Sequence, residues 1–203
     1  MIYKFETEKG GNKMTWGDFV KKVNSLSKPR ILELGTKRSE LNKDRGTIHK
    51  ADFKGYSEYV GTDIEDGTDV DFVSDVHKLS DLIGEESFDV IISCSTFEHL
   101  KYPTIAAHEL MKVLSLKGLL FIQTHQTFPL HAYPVDFFRF STEALQSLFG
   151  TKNGFKVIST WYEFDCDVVS HRVPGLIMLP SYLNSDLYGQ KLSETPKKYI
   201  YEL

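Results

Sequence analysis

Eight residue types capable of proton or hydrogen-bond chemistry crowd into one short segment, QTHQTFPLHAYPVDFFRFSTEAL, at positions 123–145. Its polar members include His125, His131, Tyr133, Asp136 and Arg139. Histidine exchanges a proton near neutral pH, so His131 and His125 are candidate general bases. A single histidine is ordinarily a hydrogen-bonded structural residue; it is the clustering at one point in the chain that suggests chemistry. His99, Tyr133, Asp136 and Arg139 are candidate substrate contacts. Asp136 and Arg139, three apart, fit equally well an ion pair that braces the loop. Phe128, Phe137, Phe138 and Phe140 either wall a pocket or fill the core.

A second set of candidates is carboxylates placed at the ends of short apolar runs. Asp63 closes EYVGTDI (58–64), Asp75 closes VDFVSD (70–75), and Glu33 lies within RILEL (30–34). A carboxylate can accept both hydroxyls of a ribose, and charge strengthens each bond. Asp63 suits that role; the plainer reading is a turn aspartate. Asp75 can accept from an exocyclic amine or cap the following helix. Glu33, an acid inside an apolar run, requires a partner.

These residues need a scaffold, and its elements are legible. A helix is expected over TWGDFVKKVNSL (15–26), with Trp16, Phe19, Val20 and Val23 on one face and Pro29 beyond its end. Strands are expected at 30–34, 58–64, 70–75, 88–94 (FDVIISC), 117–125 (KGLLFIQTH) and 154–164 (GFKVISTWYEF). Helices are expected at 103–116, starting at Pro103 with Ile105, Leu110, Val113 and Leu114 facing inward, and at 141–149 with Ser141 as its cap. The apolar, proline-broken segment 168–183 fits a last strand over the pocket or a homodimer surface, with His171 and Arg172 as weaker contact candidates. Alternating strands and helices imply an α/β fold: a Rossmann-like three-layer sandwich with a mostly parallel sheet of seven strands. In such sheets ligands sit beyond the carboxyl ends of the strands, where Asp63 and Asp75 stand.

The first strand ends in Gly35, and Thr36, Lys37 and Arg38 follow it. A dinucleotide loop needs a second glycine so that the backbone can approach a pyrophosphate. The sequence therefore points away from NAD and towards an adenosine without phosphates, such as S-adenosylmethionine. Its methionine carboxylate could meet backbone N–H groups, Lys37 or Arg38.

The elements ILELGT, YVGTDI, VSDVHKL, FDVIISCSTFEHL and LMKVLSLKGLLFIQT, in this order and spacing, resemble the class I S-adenosylmethionine-dependent methyltransferases over roughly residues 28–164. The resemblance implies one methyltransferase domain over residues 1–203, with a helical lead-in at 1–28. It implies S-adenosyl-L-methionine as cofactor, held by Glu33, Gly35, Thr36, Asp63, Ile64, Asp75, Val76, Ser93 and Ser95. Glu98 and His99 would lie just beyond. The loop GTKRS departs from the family's small residues, and the polar, locally basic stretch 37–57 lengthens the path to Asp63; it reads as a lid or as a solvated insertion. The implied activity is methyl transfer to a small-molecule acceptor such as a sugar or metabolite hydroxyl. The alternative is a methyltransferase-fold binding or scaffold protein without activity.

Composition sets outer bounds. The 203 residues are 41% apolar and 26% charged, with a net charge of −4, which argues against a general nucleic-acid binder. Ser93-Cys94-Ser95-Thr96 replaces the tetrad expected of an amino-group methylase acting on bases. No run approaches a membrane span, and no signal peptide is read at the start. Cys94 and Cys166 lack metal-like spacing, no metal site is expected, and a reduced cytoplasmic protein fits best.

Overall fold

A computed structural model describes residues 14–38, 48–169 and 179–201. The first helix, α1 (Trp16–Asn24), opens on a capping box: Thr15 Oγ1 accepts from the Asp18 amide, and the Asp18 carboxylate accepts from the Thr15 amide. It turns Phe19 and Val23 inward and ends at Asn24, ahead of Pro29.

Seven strands follow: β1 (Arg30–Leu34), β2 (Glu58–Asp63), β3 (Phe72–Val73), β4 (Phe88–Cys94), β5 (Leu114–His125), β6 (Phe155–Val168) and β7 (Leu179–Lys191). They form one sheet in the order β3-β2-β1-β4-β5-β7-β6. β1 pairs in parallel with β2 and β4, as do β2 with β3 and β4 with β5. β7 runs antiparallel between β5 and β6. The expected last strand therefore exists, but its pairing begins at Leu179, and it is an inner strand rather than an edge one. β1 and β4 match the expected runs because both are mostly apolar, largely buried and flanked by strands on both sides. β3 shrinks to two residues: the Asp71 carboxylate is taken by the Gly61 amide at 2.7 Å, and Asp75 turns to cap the chain beyond. β5 and β6 run longer than expected, since Leu114 already pairs with Phe88 and Val168 with Leu179.

Three further helices, α2 (Leu79–Ile83), α3 (Pro103–Val113) and α4 (Thr142–Ser147), cover one face of the sheet with Leu32, Leu34, Ile91, Leu120 and Ile122. α1 covers the other with Ile31, Val90, Ile92, Phe121 and Tyr188. The buried face of α3 is Ala106, Ala107, Leu110, Met111 and Val113; Ile105, expected to face inward, is 48% exposed, because the helix packs one position further round. Ser141 caps α4 by accepting from the Ala144 amide at 3.1 Å. Both cysteines are free thiols. Among the described residues no helix is long and apolar enough to cross a membrane.

Candidate active site

β1 has β2 on one side and β4 on the other, so consecutive crossovers diverge there, and the carboxyl ends of these strands open a cleft. Its volume is about 370 Å3, and its walls include Leu34, Gly35, Asp63, Ile64, Asp75, Val76, Ser95, Thr96, His99 and Val135. That size and mixture suits a small ligand. Gly35 has φ +71, and a Cβ there would lie 2.1 Å from Thr96 Oγ1; only glycine lets β1 turn against the loop after β4.

The crowded loop after Gly35 does not enter the cleft. Its amides fold onto β2: Gly35 and Thr36 donate to the Thr62 carbonyl, and Lys37 donates to Asp63 Oδ2 at 3.0 Å. The Lys37 side chain pairs with Glu65, and Arg38 pairs with Asp69 at 2.9 Å. Thr36 is buried against Gly61 instead of lining the opening. Asp63 Oδ1 accepts a further amide, that of Glu65, at 3.2 Å. Ile64 stands 64% exposed beside it, an apolar surface offered to a ligand face. Asp75 caps its own turn, with Oδ1 accepting from the His77 amide at 3.0 Å, while its side chain stays part-exposed on the cleft wall. Ser93 is fully buried and does not line the cleft.

Glu33 points to the opposite face of the sheet. Its carboxylate accepts from the His49 amide at 3.0 Å, from His49 Nδ1 at 2.6 Å and from the Tyr59 hydroxyl. The partner that an acid in this strand requires is thus supplied by a histidine and a tyrosine. Burial pulls against the charged imidazole, yet the hydrogen bond and charge of Glu33, with Asp52 behind, carry the His49 pKa above its ordinary value of 6.5. Burial beside the same carboxylate pushes the Tyr59 hydroxyl far up. A histidine whose pKa rises on folding contributes stability that is whole below about pH 6.5 and is lost as pH climbs through the raised value. We therefore expect the thermal midpoint of the wild type to fall as pH is raised above 6.5. His49→Gln should flatten that fall; an equal fall in the variant would dismiss the pair as its source.

On the other side of the cleft, a turn at Phe97–His99 presents Glu98 and His99. Glu98 is fully buried, and Oε2 accepts from Thr124 Oγ1 at 2.6 Å. Oε1 lies 3.1 Å from His125 Nε2 and 3.8 Å from His99 Nε2. The three imidazoles adjoin, with ring centroids 4.8 Å apart for His99 and His131 and 5.1 Å apart for His131 and His125. His125 stacks on Phe128 at 4.0 Å, and burial lowers its pKa further than Glu98 raises it. The structure thus brings together His99, His125 and His131; of these, His99 lines the cleft.

Asp136 and Arg139 form the brace. Arg139 Nη1 and Nη2 donate to the two Asp136 oxygens at 2.5 and 2.9 Å, and the guanidinium also donates to the Phe128, Pro129 and Phe138 carbonyls. Asp136 Oδ2 in turn accepts from the His131 amide at 3.0 Å. These bonds use up the fork of Arg139 and hold the Asp136 carboxyl well below the usual carboxylate range, so both side chains are spent on loop geometry rather than turned to a substrate. Tyr133 is 96% exposed at the loop tip. Phe140 is core, whereas Phe128, Phe137 and Phe138 are part-exposed. Desolvation of the half-buried Cys94 thiol, together with the charges of Glu33, Asp186, Glu98 and Glu163, pushes it well above its usual value and disfavours the thiolate. His171, Arg172 and the stretch 39–47 lie outside the described residues.

The strand order and the cleft it opens define the fold of the class I S-adenosylmethionine-dependent methyltransferases. Residues 41–122 match the family model of the methyltransferase domain, which bears out the resemblance drawn from the sequence. The YcgJ protein of Bacillus subtilis is similar, at 14% identity and a TM-score of 0.61 over 87% of this chain and 97% of that one. So is a SAM-dependent methyltransferase from Archaeoglobus fulgidus, at 14% identity and 0.60 over 85% and 90%. The [4+2]-cyclase SpnF, at 14% identity and 0.57 over 87% and 80%, has the same fold. No curated protein matches the sequence.

Sequence reasoning set Glu98 aside as lying beyond the site, and missed Thr124 and Asn184. The signal for Glu98 was its place directly after a buried phenylalanine, which forces the turn inward.

Proposed function

We propose that this chain is an S-adenosylmethionine-dependent methyltransferase acting on a small-molecule acceptor, a sugar or metabolite hydroxyl. The observation that carries the reading is a cleft at the ends of β1, β2 and β4 with Asp63, Ile64 and Asp75 on one wall. The matching methyltransferase domain supports S-adenosylmethionine as the cofactor.

The residues fit that molecule. Gly35, without a Cβ, lets Thr96 pack against the turn at the cleft wall. Asp63 would take the ribose hydroxyls, because each of its oxygens holds one amide and keeps a second lone pair. Ile64 and Val76 would pack on the adenine, and Asp75 would receive its amine. Gly35, Ser95 and Thr96 would border the methionine portion. When bound, the cofactor supplies a methyl on a sulfonium, already a good leaving group. The protein's part is then to position the acceptor in line and to draw off its proton. His99 Nδ1 donates to the Val135 carbonyl at 2.8 Å, and His131 Nδ1 donates to that of Pro129 at 3.2 Å. Each neutral ring therefore keeps an Nε2 lone pair able to accept, which makes this cluster the place for the proton.

Glu33 stands apart from the cleft, engaged by His49 and Tyr59, and this favours the second reading, a binding protein of the same fold without activity. A thermal-shift panel separates the readings. At about 100 times its dissociation constant, S-adenosylhomocysteine should add roughly 2.7 kcal/mol of stability, and NAD none. A shift with NAD alone overturns the proposal, and no shift with any of them leaves the scaffold.

A further inference from the structure

The polar cluster beside the cleft has an odd feature. Glu98 is fully buried, and among the described residues no hydrogen bond reaches its Oε1. His125 Nε2 lies 3.1 Å from it. The His125 ring already donates from Nδ1 to Asn184 Oδ1 at 3.1 Å, so in its neutral form Nε2 presents a lone pair, not a proton. His99 and His131 are fixed the same way, since the carbonyls of Val135 and Pro129 accept from their Nδ1 atoms and cannot donate. In its neutral form each of the three imidazoles thus keeps one lone pair, close to a carboxylate oxygen that accepts no hydrogen bond.

We propose that Glu98, His99 and His131, joined by His125, bind a divalent first-row transition metal of the zinc type. One ligand atom each from Glu98, His99 and His131 lie within 4.8 Å of one another. Zinc bound at 2.0–2.2 Å by nitrogen and oxygen places tetrahedral ligands about 3.3–3.6 Å apart. The Glu98–His125 and Glu98–His99 separations of 3.1 and 3.8 Å straddle that spacing. Imidazole with a single carboxylate suits zinc, cobalt, nickel or iron; magnesium and calcium prefer oxygen cages. The outer contacts are those of a metal site: each ring nitrogen turned away from the centre donates to an acceptor, and Thr124 donates to the second Glu98 oxygen.

His99 belongs both to the cluster and to the cleft wall, so a cation held here stands at the edge of the ligand cleft. This deepens and rests on the methyltransferase reading in one respect: the lone pairs offered there to a proton are offered here to a cation, which holds the acceptor's oxygen and eases loss of its proton.

The test is a Co2+ titration of the full chain, stripped beforehand with chelator and followed by visible absorption and by Zn2+ competition. We expect one equivalent per chain, displaced by Zn2+. The His99→Ala/His131→Ala double variant should lose more than about 100-fold in affinity, beyond the 10–100-fold typical of outer partners, and Asn184→Ala should fall within that lesser range. Glu98→Gln retains an acceptor for Thr124 and removes the anionic ligand; it should also bind weakly while staying folded by circular dichroism. Absence of stoichiometric uptake by the folded wild type overturns the proposal, as does uptake unchanged in Glu98→Gln. S-adenosylhomocysteine binding to the metal-free chain is measured separately. Nucleoside binding without metal uptake sinks the metal site alone; metal uptake without nucleoside binding sinks the methyltransferase reading alone.

Discussion

Asp63→Ala should weaken S-adenosylhomocysteine binding by roughly 100- to 10,000-fold. Two hydrogen bonds to a charged carboxylate, at about 1.5–3 kcal/mol each, sum to roughly 3–6 kcal/mol, and each 1.4 kcal/mol is tenfold. The same carboxylate accepts the Lys37 and Glu65 amides, so the variant also loosens the loop after β1. Asp63→Asn separates the two effects. It keeps one neutral acceptor for a loop amide and loses the charge, so its midpoint without ligand should stay nearer to wild type while its affinity falls. Calorimetric titration of both variants is the measurement. Affinity within twofold of wild type in Asp63→Ala would remove this residue from the ribose and take the central support of the cofactor reading with it.

Phe97→Ala should cost about 3–5 kcal/mol of folding free energy. Phe97 is fully buried, with the rings of Phe140 and Phe149 each 6.4 Å away, and it anchors the turn that carries Glu98 and His99. The backbone reinforces this anchor, since the Phe137 and Phe138 amides donate to the Glu98 carbonyl and tie the histidine loop to the same turn. For a chain of this size the midpoint should drop by roughly 6–20 °C in differential scanning calorimetry. Ile105→Ala on the exposed side of α3 is the control, expected within about 0.5 kcal/mol. A Phe97→Ala loss under 1 kcal/mol would mean that the turn is held by its hydrogen bonds alone.

What the sequence disclosed follows from how each element is held. β1 and β4 are buried on both faces and read as mostly apolar runs, so their ends were plain. Asp63 and Asp75 were found because a polar residue after such a run marks a strand's carboxyl end. β3 misled because its apolar residues pair for only two positions before Asp75 turns to cap. Ile105 misled because helical spacing does not say which of two adjacent stripes meets the sheet. Glu33 and Ser93 lie at the expected height, but the alternation of the pleat and the packing around them turn both away from the cleft. Asp136 and Arg139 could be paired from spacing; that the pair also holds the His131 amide could not. The inner place of β7 and the contact of Asn184 with His125 join residues 59 apart, and no local pattern reports such a partner.

The position of β7 has a consequence for how the molecule matures. β6 pairs with β7 and not with β5, so it has no sheet to join until Leu179–Lys191 has been synthesised. The ends of β1, β2 and β4 that line the cleft belong to earlier segments. The His125 anchor on Asn184, and the bond from Ser185 to the Phe140 carbonyl, arrive with the penultimate stretch of chain. A nascent chain stalled before residue 179 would therefore hold the cleft wall of Asp63, Ile64 and Asp75 beside a His125 that still lacks its Asn184 partner.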